Sequence, residues 1–161
     1  TRDGVGTLVA SDPYETIRRA GPADLGGILE LVRPLAEAGV LLGRGRERLE
    51  SELDHYWVME RDGLVVGTAA LYPYPEAGAA ELGCLAVHPD YRGGGRGERL
   101  LAEVAAVARE QGLGRLLVLT TQTAHWFRER GFAPVGREAL PPARRAAYDA
   151  GRNSKVLERG L

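Results

Sequence analysis

ELGCLAVHPDYRGGGRGERLLAEVAAVARE, residues 81–110, is the stretch that decides how this chain folds. An apolar run ends at His88-Pro89, and Tyr91 leads into Arg92-Gly93-Gly94-Gly95-Arg96-Gly97. Leu100, Leu101, Val104, Ala105 and Ala108 then recur at helical spacing. A strand, a glycine-rich turn and a helix in that order make an anion site. Glycines let successive backbone N–H groups converge, and the helix N-terminus adds partial positive charge. Arg92 and Arg96 bring two full charges to the turn. Two phosphate loops do not fit. The Walker loop ends in Gly-Lys-Ser/Thr, whereas this one ends in Gly97-Glu98. The pattern G-x-G-x-x-G needs glycine where Glu98 or Leu100 stands.

Downstream of the helix, RLLVLTT (115–121) reads as a buried central strand and AHWFRER (124–130) as a short helix stopped at Gly131. FAPVGRE (132–138) returns as a strand, PPARRAAYDAG (141–151) as a proline-led helix, and NSKVLERGL (153–161) as a closing strand. Upstream, HYWVMERDGLVVGTAALYPYPE (55–76) carries Asp62-Gly63, the strongest hairpin signal in the chain, and AAELGCLAVH (79–88) should pair beside it. YETIRRA (14–20) is a strand with Ile17 inward. Asp24 caps a helix whose face is Leu25, Ile28, Leu29, Val32 and Leu35, and Pro34 should kink or end it early. The loop AGVLLGRGRE (38–47) leads to a short helix with Leu49 and Leu53, and residues 1–13 form an irregular lead-in. The order β, α, α, β, β, β, α, β, α, β, α, β gives one α/β (α+β) domain over residues 14–161. Its central sheet is mixed and mostly antiparallel, with helices on its faces. A meander before the glycine loop excludes a doubly wound domain.

The totals agree with one globular domain: 161 residues, 44% hydrophobic and 27% charged. A net charge of -1 supplies no general pull toward nucleic acid or an anionic membrane. No apolar run approaches the roughly 18 residues of a membrane span. The lone Cys84 excludes an internal disulfide and fits a reducing, cytoplasmic setting.

Arg92 to Gly97 is an instance of R/Q-x-x-G-x-G/A, and it resembles the pyrophosphate loop of the GNAT acyltransferases, which bind acetyl-CoA. WFRERGF (126–132) resembles that fold's second landmark. Four separated stretches are similar to the acetyltransferase domain of the bacterial N-acetylglutamate synthases: LVRPLAEAGVLLGRGRE (31–47), AELGCLAVHPDYR (80–92), LLVLTTQTAHWFRERGF (116–132) and YDAGRNSKVL (148–157). GVGTLV (4–9) is similar to the tail of the amino-acid-kinase domain that precedes it in that family.

The resemblance implies acetyl transfer from acetyl-CoA to the α-amine of L-glutamate, without a metal. It implies small-molecule partners, no nucleic acid or membrane, and an upstream amino-acid-kinase-like domain in a longer chain. Self-association stays open. It places the general base at Glu81 and the diphosphate on Arg92, Gly93, Gly95, Arg96, Gly97 and Glu98. The pantetheine arm falls along the backbone of Leu85 and Val87. Glutamate falls to Leu42, Arg44, Cys84, Leu119, Arg152 and Ser154. Many GNAT enzymes carry a tyrosine where Phe127 stands, so protonation of the leaving thiolate passes to Thr120, with Thr121 and His125 in competition. Cys84 inside an apolar run reads as a core residue rather than a nucleophile. The stretches Gly43-Arg44-Gly45-Arg46-Glu47 and Arg152-Asn153-Ser154-Lys155 depart from the family's R-R-S-R-E and R-K-S-K. That keeps another amino acid or small amine open as acceptor, and beyond it a non-catalytic module that only binds acetyl-CoA. Trp57, Trp126 and the tyrosines read as packing, and Arg144-Arg145 as a solvated helix face.

Overall fold

The computed structural model describes residues 15–40, 45–148 and 152–161; the lead-in and the substrate-loop residues Leu42 and Arg44 lie outside them. The strands are β1 (Glu15–Arg19), β2 (Tyr56–Arg61), β3 (Leu64–Tyr74), β4 (Ala79–Val87), β5 (Arg115–Thr120), β6 (Ala133–Val135) and β7 (Lys155–Gly160). They form one open sheet in the order β1-β2-β3-β4-β5-β7-β6, antiparallel except at the β4–β5 pair. The helices are α1 (Leu25–Glu37), α2 (Arg46–Ser51), α3 (Arg96–Glu110), α4 (Ala124–Arg128) and α5 (Pro142–Ala146). Their order along the chain is the one read from the sequence.

Local chemistry explains the joints. Asp62 and Gly63 both take positive φ, 50° and 80°, which is the twist a two-residue hairpin between β2 and β3 requires. Pro34 does not end its helix early: α1 runs on to Glu37, and the Ala38 N–H still donates to the Pro34 carbonyl at 3.0 Å. Proline forfeits one bond to the preceding turn, a loss the helix tolerates so close to its end.

Each face of the sheet buries one amphipathic helix. On one side Leu100, Leu101, Val104, Ala105 and Ala108 of α3 pack on Met59, Val66, Leu116 and Leu157. On the other, Leu25, Ile28, Leu29 and Val32 of α1 pack on Val58 and Val65. Gly67 on β3 sets the approach of α3, because a Cβ there would stand 2.8 Å from Leu100 Cδ1. Leu100 itself is 0% exposed. Leu100→Ala should therefore lower unfolding free energy by about 2–5 kcal/mol, read as an earlier midpoint in urea. A change within about 0.5 kcal/mol would mean that α3 is not anchored there.

Two features of β4 open the sheet. Thr68 faces Ala86 and Ala70 faces Gly83, so β4 carries one residue more than β3 over the same span. That residue is accommodated where Cys84 takes φ 49°, in the left-handed region that a side chain rarely enters. The bulge resets the strand's alternation: Leu82, Leu85 and Val87 all pack on the α3 side, Cys84 and Ala86 on the α1 side. On the opposite edge, the parallel pairing with β5 stops at Leu82↔Val118, although β4 runs to Val87 and β5 to Thr120. The splaying thus begins just past Leu82, two residues before Cys84.

Candidate active site

The splayed strands enclose a cavity of about 590 Å³. Its walls include Val40, β4 from Leu82 to Val87, the end of β5 from Val118 to Thr120, Tyr91 and the glycine turn that follows it, and Thr123, Trp126, Phe127 and Arg130 around α4. Gly93 and Gly95 take φ 86° and 76°, and Gly95 is the residue that caps α3. A glycine offers no side chain to the orphan N–H groups of the first helical turn, so those donors remain for an anion in the cavity. Gly97 sits against Trp126: a Cβ there would be 3.2 Å from the indole Cζ2. Beyond Leu82, β4 keeps β3 on one side and has no ladder partner in β5 on the other. An extended ligand with amide groups can add along such an edge as a strand does.

The charged groups are individually committed. Arg92 Nε donates to the Val87 carbonyl at 3.1 Å. Arg96 donates through Nε to Glu15 Oε2 at 3.0 Å and through Nη1 to the Tyr91 carbonyl at 3.0 Å. Glu98 accepts from Arg130 Nη2 at 2.6 Å, and that guanidinium lies 3.9 Å over the Trp126 ring.

Across the bulge, the α1 side of β4 carries Glu81. Its carboxylate accepts from Arg144 Nε at 2.6 Å, with Nη2 at 3.5 Å. Arg144 is thus no solvated helix face: its side chain is 20% exposed, because α5 lays it across β4. Cys84 lines the cavity, and its sulfur accepts from the fully buried Tyr56 hydroxyl at 3.3 Å. Burial, joined by Cys84 and Tyr72, pushes the Tyr56 hydroxyl far above the ordinary tyrosine range, so it stays a neutral donor. Tyr72 continues the chain of contacts, donating to Glu52 at 2.8 Å.

At the end of β5, Thr120 is buried and its Oγ1 accepts from the Thr123 N–H at 3.0 Å. The two threonine hydroxyls share a 2.6 Å hydrogen bond, and both residues line the cavity. Thr121 instead donates to the Gly39 carbonyl at 3.1 Å. His125 is 87% exposed beside Glu129, so of the three candidate acids only Thr120 borders the cavity. Arg152 Nη2 donates to the Val40 carbonyl at 3.3 Å, tying the closing segment to a residue of the cavity wall. The Ser154 carbonyl accepts from Tyr148 at 2.7 Å. Among the described residues no cluster of His, Cys, Asp and Glu could hold a metal ion, and no helix is long and apolar enough to cross a membrane.

Residues 27–132 match the Acetyltransferase (GNAT) family. The chain is a GNAT acetyltransferase-family domain. Members of that family take acetyl-CoA as acetyl donor. Over all 161 residues the chain is 56% identical to an amino-acid acetyltransferase of Azotobacter vinelandii and 53% identical to one of Pseudomonas putida. It spans 37% of the length of each of these relatives. Among solved structures it is similar to N-acetylglutamate synthase from Neisseria gonorrhoeae in complex with coenzyme A and N-acetyl-glutamate. That likeness has a TM-score of 0.89 and 45% identity, covering 100% of this chain and 38% of the other. The same synthase with coenzyme A and L-arginine gives 0.83 and 43%, covering 100% and 36%.

In this GNAT domain the glycine turn, Leu85, Val87, Cys84, Leu119 and Thr120 come together around one cavity. Glu81, Arg152 and Ser154 lie on neighbouring segments without lining it. Sequence reading missed Tyr91, Trp126 and Arg130 as wall residues. For Trp126 and Arg130 the signal was there: they stand four apart on one helical face, beside the landmark Phe127.

Proposed function

We propose that this GNAT domain moves the acetyl group of acetyl-CoA to the α-amine of L-glutamate, an N-acetylglutamate synthase activity, by direct attack in a ternary complex. The observation that carries it is the junction at β4. A bare-glycine helix N-terminus and an unpaired strand edge lie on one side of the bulge, and Glu81 lies on the other.

The residues divide the work. N–H groups of Gly93 to Gly97 receive the diphosphate, and the free edge at Leu85 and Val87 receives the pantetheine amides. Glu81 takes a proton from the substrate ammonium, directly or through one water, so that nitrogen can attack the thioester carbonyl. The N–C bond forms as the C–S bond breaks. Thr120 gives its hydroxyl proton to the leaving sulfur and regains one through Thr123, a loss balanced overall by the second proton the nitrogen sheds as it becomes an amide. Arg152 and Arg44 hold the two carboxylates, for which a planar guanidinium is the matching partner. The Cys84 sulfur, already an acceptor for Tyr56, supports direct transfer over an acetyl-cysteine. The span of about a third of its relatives' length supports an upstream amino-acid-kinase-like domain in the whole protein.

A second acceptor is favoured by one feature only, the glycines at 43 and 45 in the substrate loop. Product analysis over a panel of amino acids decides between them: kcat/KM should be highest for glutamate, and a rate no better than with other amino acids rejects the assignment. Arg152→Ala should raise the glutamate KM about 10- to 100-fold, the loss of one charge-assisted contact, with the acetyl-CoA KM unmoved. Equal rises for both would remove Arg152 from the acceptor site.

A further inference from the structure

Glu15 opens β1 at the edge of the sheet, two residues before Ile17 and on the same face, so its carboxylate lies beneath the start of α3. The side chain is 3% exposed and three guanidinium groups converge on it. Arg61 Nη1 reaches Oε2 at 3.1 Å, Arg99 Nη2 reaches Oε1 at 3.1 Å, and Arg96 grips Oε2 through both Nε and Nη2. Arg96 belongs to the diphosphate turn, and its remaining Nη1 donates to the Tyr91 carbonyl, closing a ring from Tyr91 to Arg96. Its guanidinium also lies directly under Gly94, where a Cβ would stand 2.6 Å from Nη1. Gly94 has no positive φ, unlike Gly93 and Gly95, so the middle glycine is explained by this close approach and not by backbone twist.

We propose that Glu15 is a positioning residue for the coenzyme. Acting through Arg96, it fixes the Tyr91–Gly95 turn in the shape whose N–H groups receive the diphosphate. Arg96 is then a strut of the turn, its charge answered by Glu15, rather than a free cation waiting for phosphate. A charge-assisted contact through two donors of one planar guanidinium suits that task, because it holds position as well as charge. The arrangement also ties the first strand of the domain to the coenzyme turn across 81 positions of sequence.

The inference rests on the reading that coenzyme A binds this turn, and the test separates the two. Coenzyme A is titrated calorimetrically into wild type, Glu15→Gln, Arg96→Gln and the double variant, alongside KM values for both substrates. Glu15→Gln should weaken coenzyme binding about ten-fold and raise the acetyl-CoA KM in step, leaving the glutamate KM unchanged. The double variant should bind no more weakly than Arg96→Gln alone, since one residue acts through the other. Gly94→Ala probes the strut from its other side without touching β1, and it should also weaken binding; this variant decides the matter if Glu15→Gln does not fold. Wild-type affinity in Glu15→Gln with only a lowered Tm, or losses that add in the double variant, overturns the inference while the function stands. A wild-type protein that takes no coenzyme A overturns both.

Discussion

Glu81→Gln should lower turnover at neutral pH by about 10²- to 10⁴-fold, the usual worth of a positioned general base and the role proposed for Glu81. The substrate amine is protonated there and has no lone pair to offer the thioester until a base takes its proton. Glutamine keeps the size of glutamate, and its amide oxygen can still accept from Arg144 Nε, now 2.6 Å from Glu81 Oε1. The exchange therefore removes a charge and a proton acceptor with little disturbance of α5 or β4. Acetyl-CoA affinity should stay at the wild-type level, because the unpaired edge of β4 proposed for the coenzyme begins beyond Leu82 and the proposed diphosphate turn lies further on. The deficit should shrink as pH rises, since free amine then forms in solution without help. A pH–rate profile of both proteins checks this: a constant ratio across pH, or no deficit at neutral pH, takes the base role away from Glu81.

The parts of this fold that were legible in the sequence are those whose physics is local. Asp62-Gly63, Gly93 and Gly95 announce positive φ by residue type, and α3 announces its buried face by spacing. The parts that were not legible depend on partners distant in sequence. Arg144 meets Glu81 across 63 positions, so a charge run that looked like a solvated face became the clasp on the proposed base. Arg96 showed its charge but not Glu15, 81 positions away, which already answers it. The bulge at Cys84 is set by pairing with β3, and a non-glycine residue at φ 49° leaves no local sign of it. His125 was weighed as an acid beside Thr120, but one step along the chain separates the wall of the cavity from the outer surface of α4.

The second large effect belongs to Gly95→Val. Gly95 holds φ 76°, a conformation that a β-branched residue resists by about 1–3 kcal/mol. A Cβ there would meet no protein atom within 4 Å, so the new side chain starts in open space. Gly95 lines the cavity and stands at the N-terminus of α3, beside the uncapped N–H groups of its first turn. The strain falls on the proposed diphosphate site, and the fold should survive with a modestly lowered Tm.

Calorimetric titration of coenzyme A into wild type and Gly95→Val, with circular dichroism confirming that both are folded, tests the glycine cradle most directly. Wild type should saturate, and Gly95→Val should bind at least about 100-fold more weakly. Equal dissociation constants for the two folded proteins would contradict the cradle.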